Sequence, residues 1–198
     1  MEWALAPYHV PHSLKLTWIY ELPIGPGKPI DVRGVLGQIV GGWTLSGIHR
    51  YRSGDNLIVF DSRLNGVGYP IRVDDVPGVD KIIYQGGSAD VRNGTPYLSP
   101  QAFATPPLST RGIPARVGTA PAVLTDARGP GFFREDLGIM KRVSFGSRSL
   151  EVRADVINLL NRAGVGNPRT DLADPNFGRI FGPRYGARQL QLSVRGTF

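Results

Sequence analysis

Three histidines, His9, His12 and His49, are the side chains here best suited to acid–base or metal chemistry, and the chain offers no cysteine to work beside them. His9 and His12 fall just before or at the start of an alternating segment, where a surface role is expected. His49 recurs at period two with Trp43 and Tyr51, which suits an interfacial, aromatic-like role better than catalysis. Asp171 and Asp174, with Asn167 and Asn176 nearby, present hard oxygen donors of the kind calcium takes, as do Asp74, Asp75 and Asp80. Neither group has the spacing of a dedicated calcium loop, and Pro175 supplies a turn reading. Gly25-Pro26-Gly27 and Gly129-Pro130-Gly131 invite comparison with phosphate-cradling loops. Neither carries the Lys-Ser/Thr of such a loop or leads into a convincing helical pattern, so both are read as turns. No serine sits in a nucleophile elbow. Catalytic, cofactor-binding and metal residues are therefore expected to be none, and the chain is read as non-enzymatic.

The composition turns attention from chemistry to architecture. The 198 residues include 26 glycines and 17 prolines, clustered without a fixed period, which argues against both a helical and a collagen-like protein. Charged residues at 20% and apolar residues at 41% do not describe a disordered chain. The net charge of +7 is carried mostly by arginines scattered over strands and loops. They are read as solvating a surface or a wet interior, and no nucleic-acid partner is expected. No apolar stretch reaches the length of a membrane helix. A membrane strand needs only about ten alternating residues and escapes that test. No signal peptide is visible in Met1 to Pro11.

Alternation is the clearest pattern, and it predicts five strands. The first, Ser13 to Leu22, sets Leu14, Leu16, Trp18, Tyr20 and Leu22 against Ser13, Lys15, Thr17, Ile19 and Glu21. The second, Ile39 to Tyr51, groups Trp43, Leu45, Gly47, His49 and Tyr51, with Gly41-Gly42 as a bulge or bend. The third, Phe133 to Phe145, groups Phe133, Leu137, Ile139, Val143 and Phe145, and places Glu135 and Lys141 on the same side. A tight hairpin at Gly146-Ser147-Arg148 leads to the fourth, Leu150 to Leu160. There Leu150, Val152, Ala154 and Val156 oppose Glu151, Arg153 and Asp155. The last, Arg188 to Phe198, opposes Leu190, Leu192, Val194 and Phe198 to Gln189, Gln191, Ser193, Arg195 and Thr197.

A soluble sandwich would show the same alternation. Three features favour a membrane barrel. The segments are long enough to cross a bilayer, which takes about 9 to 11 residues. Aromatic residues gather near their ends, as an interfacial girdle requires. Connections alternate between short and long, the long ones being about 53–131 and 161–187, which are read as extracellular-type loops. Five strands cannot close around a wide lumen, so an open sheet is expected in isolation.

Several blocks then carry a resemblance. They are Tyr20-Glu21-Leu22-Pro23-Ile24-Gly25, Gly41-Gly42-Trp43-Thr44-Leu45-Ser46-Gly47-Ile48, Tyr51-Arg52-Ser53-Gly54, and Gly129-Pro130-Gly131-Phe132-Phe133 with Asp136-Leu137-Gly138. Arg153-Ala154-Asp155-Val156-Ile157-Asn158-Leu159-Leu160-Asn161, Asn176-Phe177-Gly178-Arg179-Ile180 and Arg188-Gln189-Leu190-Gln191-Leu192 complete the series. In this order the chain resembles the C-terminal barrel portion of a TonB-dependent outer-membrane receptor of the Oar-like group, whose members bear a carboxypeptidase-regulatory-like domain. The resemblance implies an all-β, antiparallel transmembrane barrel segment: about five C-terminal strands of a barrel of about 22. It implies residence in a Gram-negative-type outer membrane and a share in energy-coupled solute uptake. The implied partners are outer-membrane lipid, upstream barrel strands and a plug missing from this chain, the barrel-assembly machinery, and the TonB complex through N-terminal parts also missing. A truncated reading frame or a fragment inactive alone is the expectation.

Under that reading Lys15, Glu21, Arg50, Arg153, Asp155, Gln191 and Arg195 are candidates to face the lumen. Trp18, Tyr20, Trp43, Tyr51, Phe133, Phe145 and Phe198 are candidates for the membrane interface, with Phe198 also an assembly residue. The alternative is a soluble all-β module that binds a ligand or nucleic acid.

Overall fold

The computed structural model describes residues 5–64, 72–86, 90 and 92–198. In chain order it contains β1 (Ser13–Glu21), a short helix α1 (Gly34–Val40), β2 (Trp43–Arg52), and three two-residue strands. These are β3 (Asp74–Asp75), β4 (Thr95–Pro96) and β5 (Phe103–Ala104). There follow β6 (Phe132–Phe145), β7 (Arg148–Ile157), the two-residue β8 (Arg179–Ile180) and β9 (Gln189–Thr197). The chain divides into a sheet unit, Ser13–Tyr51, Phe133–Arg162 and Ala187–Phe198, and a loop unit, Met1–His12, Arg52–Phe132 and Ala163–Gly186.

The sheet unit is one five-stranded sheet in the order β1-β2-β6-β7-β9, a meander that follows the chain. Its strands are nine to fourteen residues long. Phe145 pairs with Arg148 across the turn Gly146-Ser147, and Gly146 takes φ +63, a conformation that costs glycine little. β6 and β7 pair antiparallel from Leu137↔Val156 to Phe145↔Arg148, and β7 and β9 from Ser149↔Thr197 to Ile157↔Gln189. The Leu22 N–H donates to the Trp43 carbonyl while the Trp18 indole reaches His49, so β1 and β2 also run in opposite directions. Arg142 N–H to the Gly42 carbonyl and Arg50 to Asp136 show the same for β2 and β6.

Two boundaries differ from the sequence reading by three residues or more. Ile39 and Val40 lie in α1, not in the second strand, and Gly42 (φ +68) turns the chain into Trp43. Helix and strand share aliphatic residues, so periodicity over so short a run could not separate them. The fourth strand ends at Ile157 rather than Leu160. Asn158 takes φ +57 and Asn161 φ +48, both left-handed, which breaks the extended backbone. Asn158 is buried; its Oδ1 accepts the Arg162 N–H at 3.0 Å, and its own N–H donates to Asp136 at 2.8 Å. Asparagine suits both the backbone angle and these bonds.

The loop unit holds an apolar core that composition did not reveal. Leu57, Val59, Val73, Leu98, Phe103, Leu124, Phe177 and Ile180 are all buried within it. Little regular structure supports this core. β3 pairs with β5 and β4 with β8, two residues each, and hydrogen bonds supply the rest. Tyr97 and Leu98 both donate backbone N–H groups to the Gly178 carbonyl at 2.9 Å. Phe103 meets Phe177 edge-on at 5.7 Å. Gly129-Pro130-Gly131 is not the turn the sequence suggested. It runs alongside the chain at Gly54, where a Cβ would lie 1.6 Å from the Gly129 carbonyl oxygen. Gly54 thus serves close backbone approach, and Gly129 leaves room for Asn167, whose Oδ1 a Cβ there would meet at 2.3 Å. Asp55 gathers the same region, accepting from Arg52, Arg184 and Asn167.

Asp61 is fully buried beneath this core, accepting from the Arg63 guanidinium at 2.8 and 2.6 Å and from the Thr105 hydroxyl at 2.9 Å. The Arg63 hydrogen bonds hold its carboxyl below the ordinary value of 3.8. A carboxylate with a lowered native pKa contributes stability above the unfolded value and loses it as pH falls through the native one. The loop unit should therefore weaken progressively below about pH 4. Asp61→Asn should cost about 1–3 kcal/mol at neutral pH and flatten that acid dependence, read from amide exchange at Leu57 and Val73. Unchanged exchange in the variant would refute this role.

Candidate functional site

The register brings all five alternations onto common faces, and that outcome was not guaranteed. A slip of one residue in any pair would have turned one strand's apolar set to the other side. Along β6, β7 and β9 the apolar rows align as Leu137–Val156–Leu190, Ile139–Ala154–Leu192 and Lys141–Val152–Val194. The ring of Tyr51 meets Phe133 at 5.9 Å and His49 at 6.4 Å, and Trp18 stacks on His49 at 6.3 Å. These contacts carry the same face through β2 to β1.

This face is open. Leu190, Leu192 and Val194 are 64%, 69% and 70% exposed, and Leu14, Leu16 and Tyr20 are also exposed. Every buried aliphatic or aromatic side chain among the described residues belongs to the loop unit. The sheet thus presents a wide apolar surface without a second apolar layer of its own. For a sheet working in water this is the wrong side out.

All seven interface candidates lie on that face. Tyr20, Trp43, Phe145 and Phe198 stand toward the strand ends joined by α1 and the Gly146-Ser147 turn. Phe198, 99% exposed, lays its ring over Gly196. Tyr51 and Phe133 stand at the opposite ends, and Trp18 lies between. Trp18 also explains Gly47: its indole crosses the spot where a Cβ would stand, 2.5 Å away, while its Nε1–H donates to His49 Nε2 at 3.0 Å.

Two charged residues interrupt the apolar face, and each has a local reason. Glu135 is buried, accepting from the Tyr51 hydroxyl at 3.0 Å and lying 3.5 Å from Arg162. Lys141 sends its ammonium to the carbonyls of Gln38, Ile39 and Gly41, at the end of α1, and sits 5.3 Å from the Trp43 ring centroid. Alternation alone marked both positions as exceptions without supplying their partners.

The seven lumen candidates lie on the other face. Asp136 accepts from Arg50 at 2.7 Å and from Arg134 at 2.9 Å. Arg153 clasps Asp155, with three hydrogen bonds of 2.8–3.0 Å. Across the strands Arg142 approaches Glu151 at 3.3 Å, and Glu151 stands opposite Arg195. Glu21 pairs with Lys28 at 2.8 Å. Among the described residues Lys15, Gln191 and Arg195 make no side-chain hydrogen bond or ion pair; all three lie on the edge strands β1 and β9. Such pairs are worth about 0.2–1 kcal/mol each, so they tune register more than they hold the sheet. Gly138 keeps the centre of this face low, since a Cβ there would meet Ser46 Oγ at 2.5 Å and Asp155 Oδ1 at 2.7 Å.

The possible cation ligands of the loop unit are turned inward on the chain. Asp171 accepts the N–H groups of Ser62 and Ala173, and Asp174 pairs with Arg169 and caps Asn176. Asp74 is held by both Arg116 nitrogens and Asp75 by Lys81. His9 lies beside Arg128, and no group of metal-binding side chains is assembled among the described residues.

Gly47→Val should displace the Trp18 ring and lower stability in detergent micelles by about 1–3 kcal/mol, read from the urea midpoint and a change in tryptophan emission. An unaltered emission spectrum would contradict the packing described.

The family model described as an outer membrane beta barrel domain matches residues 1–191. No curated protein and no solved structure gives a significant match to the chain.

Proposed function

The chain belongs to the outer membrane beta barrel domain family and is an outer-membrane component, and from that premise we propose that it forms part of the wall of a TonB-dependent transporter. The observation that carries the membrane role is the apolar face shared by five long strands, exposed and without a covering layer within the sheet unit. In hydrocarbon such a face is the stable one, and every strand must find hydrogen-bonding neighbours on both sides. β1 and β9 each have one neighbour in the sheet, so further strands are required on both edges. The series of blocks from Tyr20 to Leu192 supports the narrower assignment to the C-terminal strands of a receptor of the Oar-like group.

In this reading the apolar face meets lipid. Lys15, Glu21, Arg50, Arg153, Asp155, Gln191 and Arg195 face a lumen occupied by a plug. Tyr20, Trp43, Tyr51, Phe133, Phe145 and Phe198 settle the wall at the two lipid boundaries with Trp18 between them, and Phe198 presents its ring to the barrel-assembly machinery. The connections 53–131 and 161–187 face outward from the cell, and the Gly146-Ser147 turn faces the periplasm. Solute uptake then belongs to the full barrel with its plug and TonB contact, and the chain serves as wall.

Adjacent residues on one strand separate the two faces. Leu192→Arg should cost about 2–4 kcal/mol of folding stability in lipid vesicles, while Gln191→Arg should cost about 0–1 kcal/mol. Equal costs would remove the membrane assignment of the faces. For the transport role, the chain joined to upstream strands and plug should support uptake that stops when the proton gradient is collapsed. Uptake that survives the collapse would count against TonB coupling.

A further inference from the structure

The connection between β1 and β2 contains the one part of the sheet unit whose exposed apolar surface is helical. Val35, Leu36 and Ile39 of α1 are 79%, 66% and 61% exposed. At about 100° per residue they fall within an arc of about 100° on one side of the helix. Gly37, on the opposite side, is buried against the preceding turn: a Cβ there would sit 2.0 Å from the Val32 carbonyl oxygen and 3.4 Å from Pro26. Gly41 and Gly25 also approach closely, with a Cβ on Gly41 falling 2.8 Å from the Gly25 Cα. The apolar arc is therefore held outward by close packing at three glycines behind it.

The far end of the helix is fastened to the apolar face of the sheet. Lys141 supplies its ammonium to the carbonyls of Gln38 (2.6 Å), Ile39 (3.0 Å) and Gly41, and the Trp43 indole donates to Ile39 at 3.1 Å. A helix end leaves carbonyls without intrahelical partners, and a cation there is favoured by the helix dipole. A lysine and a tryptophan are also the residue types that settle at the border between acyl chains and headgroups. Both stand on the apolar face of the sheet, Lys141 in the row with Val152 and Val194 and four residues short of Phe145 at the turn.

We propose that α1 is a lipid-interface anchor, lying in the headgroup–acyl boundary at the turn end of the strands with Val35, Leu36 and Ile39 toward the acyl chains. The occupant of this surface is lipid because the surface continues the apolar face of the sheet and is tied to it through Trp43 and Lys141. An arc of three aliphatic residues is too narrow to cross a bilayer and wide enough to rest on one. The inference rests on the membrane reading of the sheet, and its test separates the two.

The chain has no cysteine, so single cysteines can be placed without background. Leu36→Cys on α1, Leu192→Cys on the apolar face of β9 and Ser147→Cys in the hairpin turn would each carry a small fluorophore. The chain, joined to cysteine-free upstream barrel strands that close the wall, would be reconstituted in phosphatidylethanolamine–phosphatidylglycerol vesicles bearing nitroxide lipids, with the nitroxide near the headgroup or near the chain end. The Leu36→Cys label should be quenched at least twofold more by the shallow nitroxide than by the deep one. The Leu192→Cys label should show the opposite order, and the Ser147→Cys label should be quenched by neither. Val35→Cys repeats the measurement on the same arc if Leu36→Cys fails to fold. Quenching of Leu36→Cys no greater than that of Ser147→Cys, with Leu192→Cys still quenched, would overturn the anchor and leave the membrane wall standing. Loss of quenching at both Leu36→Cys and Leu192→Cys would overturn the membrane reading and the anchor together.

Discussion

Side-chain parity in the pairing of adjacent strands is the constraint on which the sheet depends. Each strand offers a greasy and a polar side, and only a register that keeps them aligned gives two usable faces. The pairs Val156–Leu190 and Asp155–Gln191 show the alignment at successive residues of one strand. The ion pairs of the polar face, the aromatic contacts of the apolar face and the two close-fitting glycines Gly47 and Gly138 all presuppose it. In hydrocarbon the backbone bonds themselves are worth too much to lose, so pairing is secure. The choice among registers is then left to side chains and turns.

Much of this architecture was legible in the sequence because a strand writes its two faces into alternate residues. Leu190, Leu192 and Val194 against Gln189, Gln191 and Ser193 needed no further information. What alternation could not supply was anything resting on contact between distant segments. Lys141 looked like an intrusion on a greasy face until the carbonyls of Gln38, Ile39 and Gly41 were found around its ammonium. α1 itself was hidden because Gly34–Val40 is too short to display a helical period. The end of β7 was placed three residues late, since a left-handed Asn158 is a property of its hydrogen bonds as much as of its type.

The loop unit marks the larger gap between sequence and structure. Its core side chains are spread over segments rich in Gly, Pro and Asp with no periodicity to connect them. Leu57, Leu98 and Ile180 become neighbours only through irregular turns and single bridges, for which no repeating pattern exists. Composition described these segments correctly as poor in strand and helix. It was silent on whether they pack.

Packing of that kind changes how the long connections can vary. They draw on one shared core, built from the stretches around residues 57, 98, 124 and 177, so lengthening or trimming one disturbs side chains contributed by the others. The segment from Leu108 to Pro114 is a different case. A single bridge closes it, Leu108 and Ile113 are half exposed, and Gly112 has open space around it. Among the described residues, sequence drift and insertions are therefore channelled to that tip, while the stretches that feed the core are bound to change in concert.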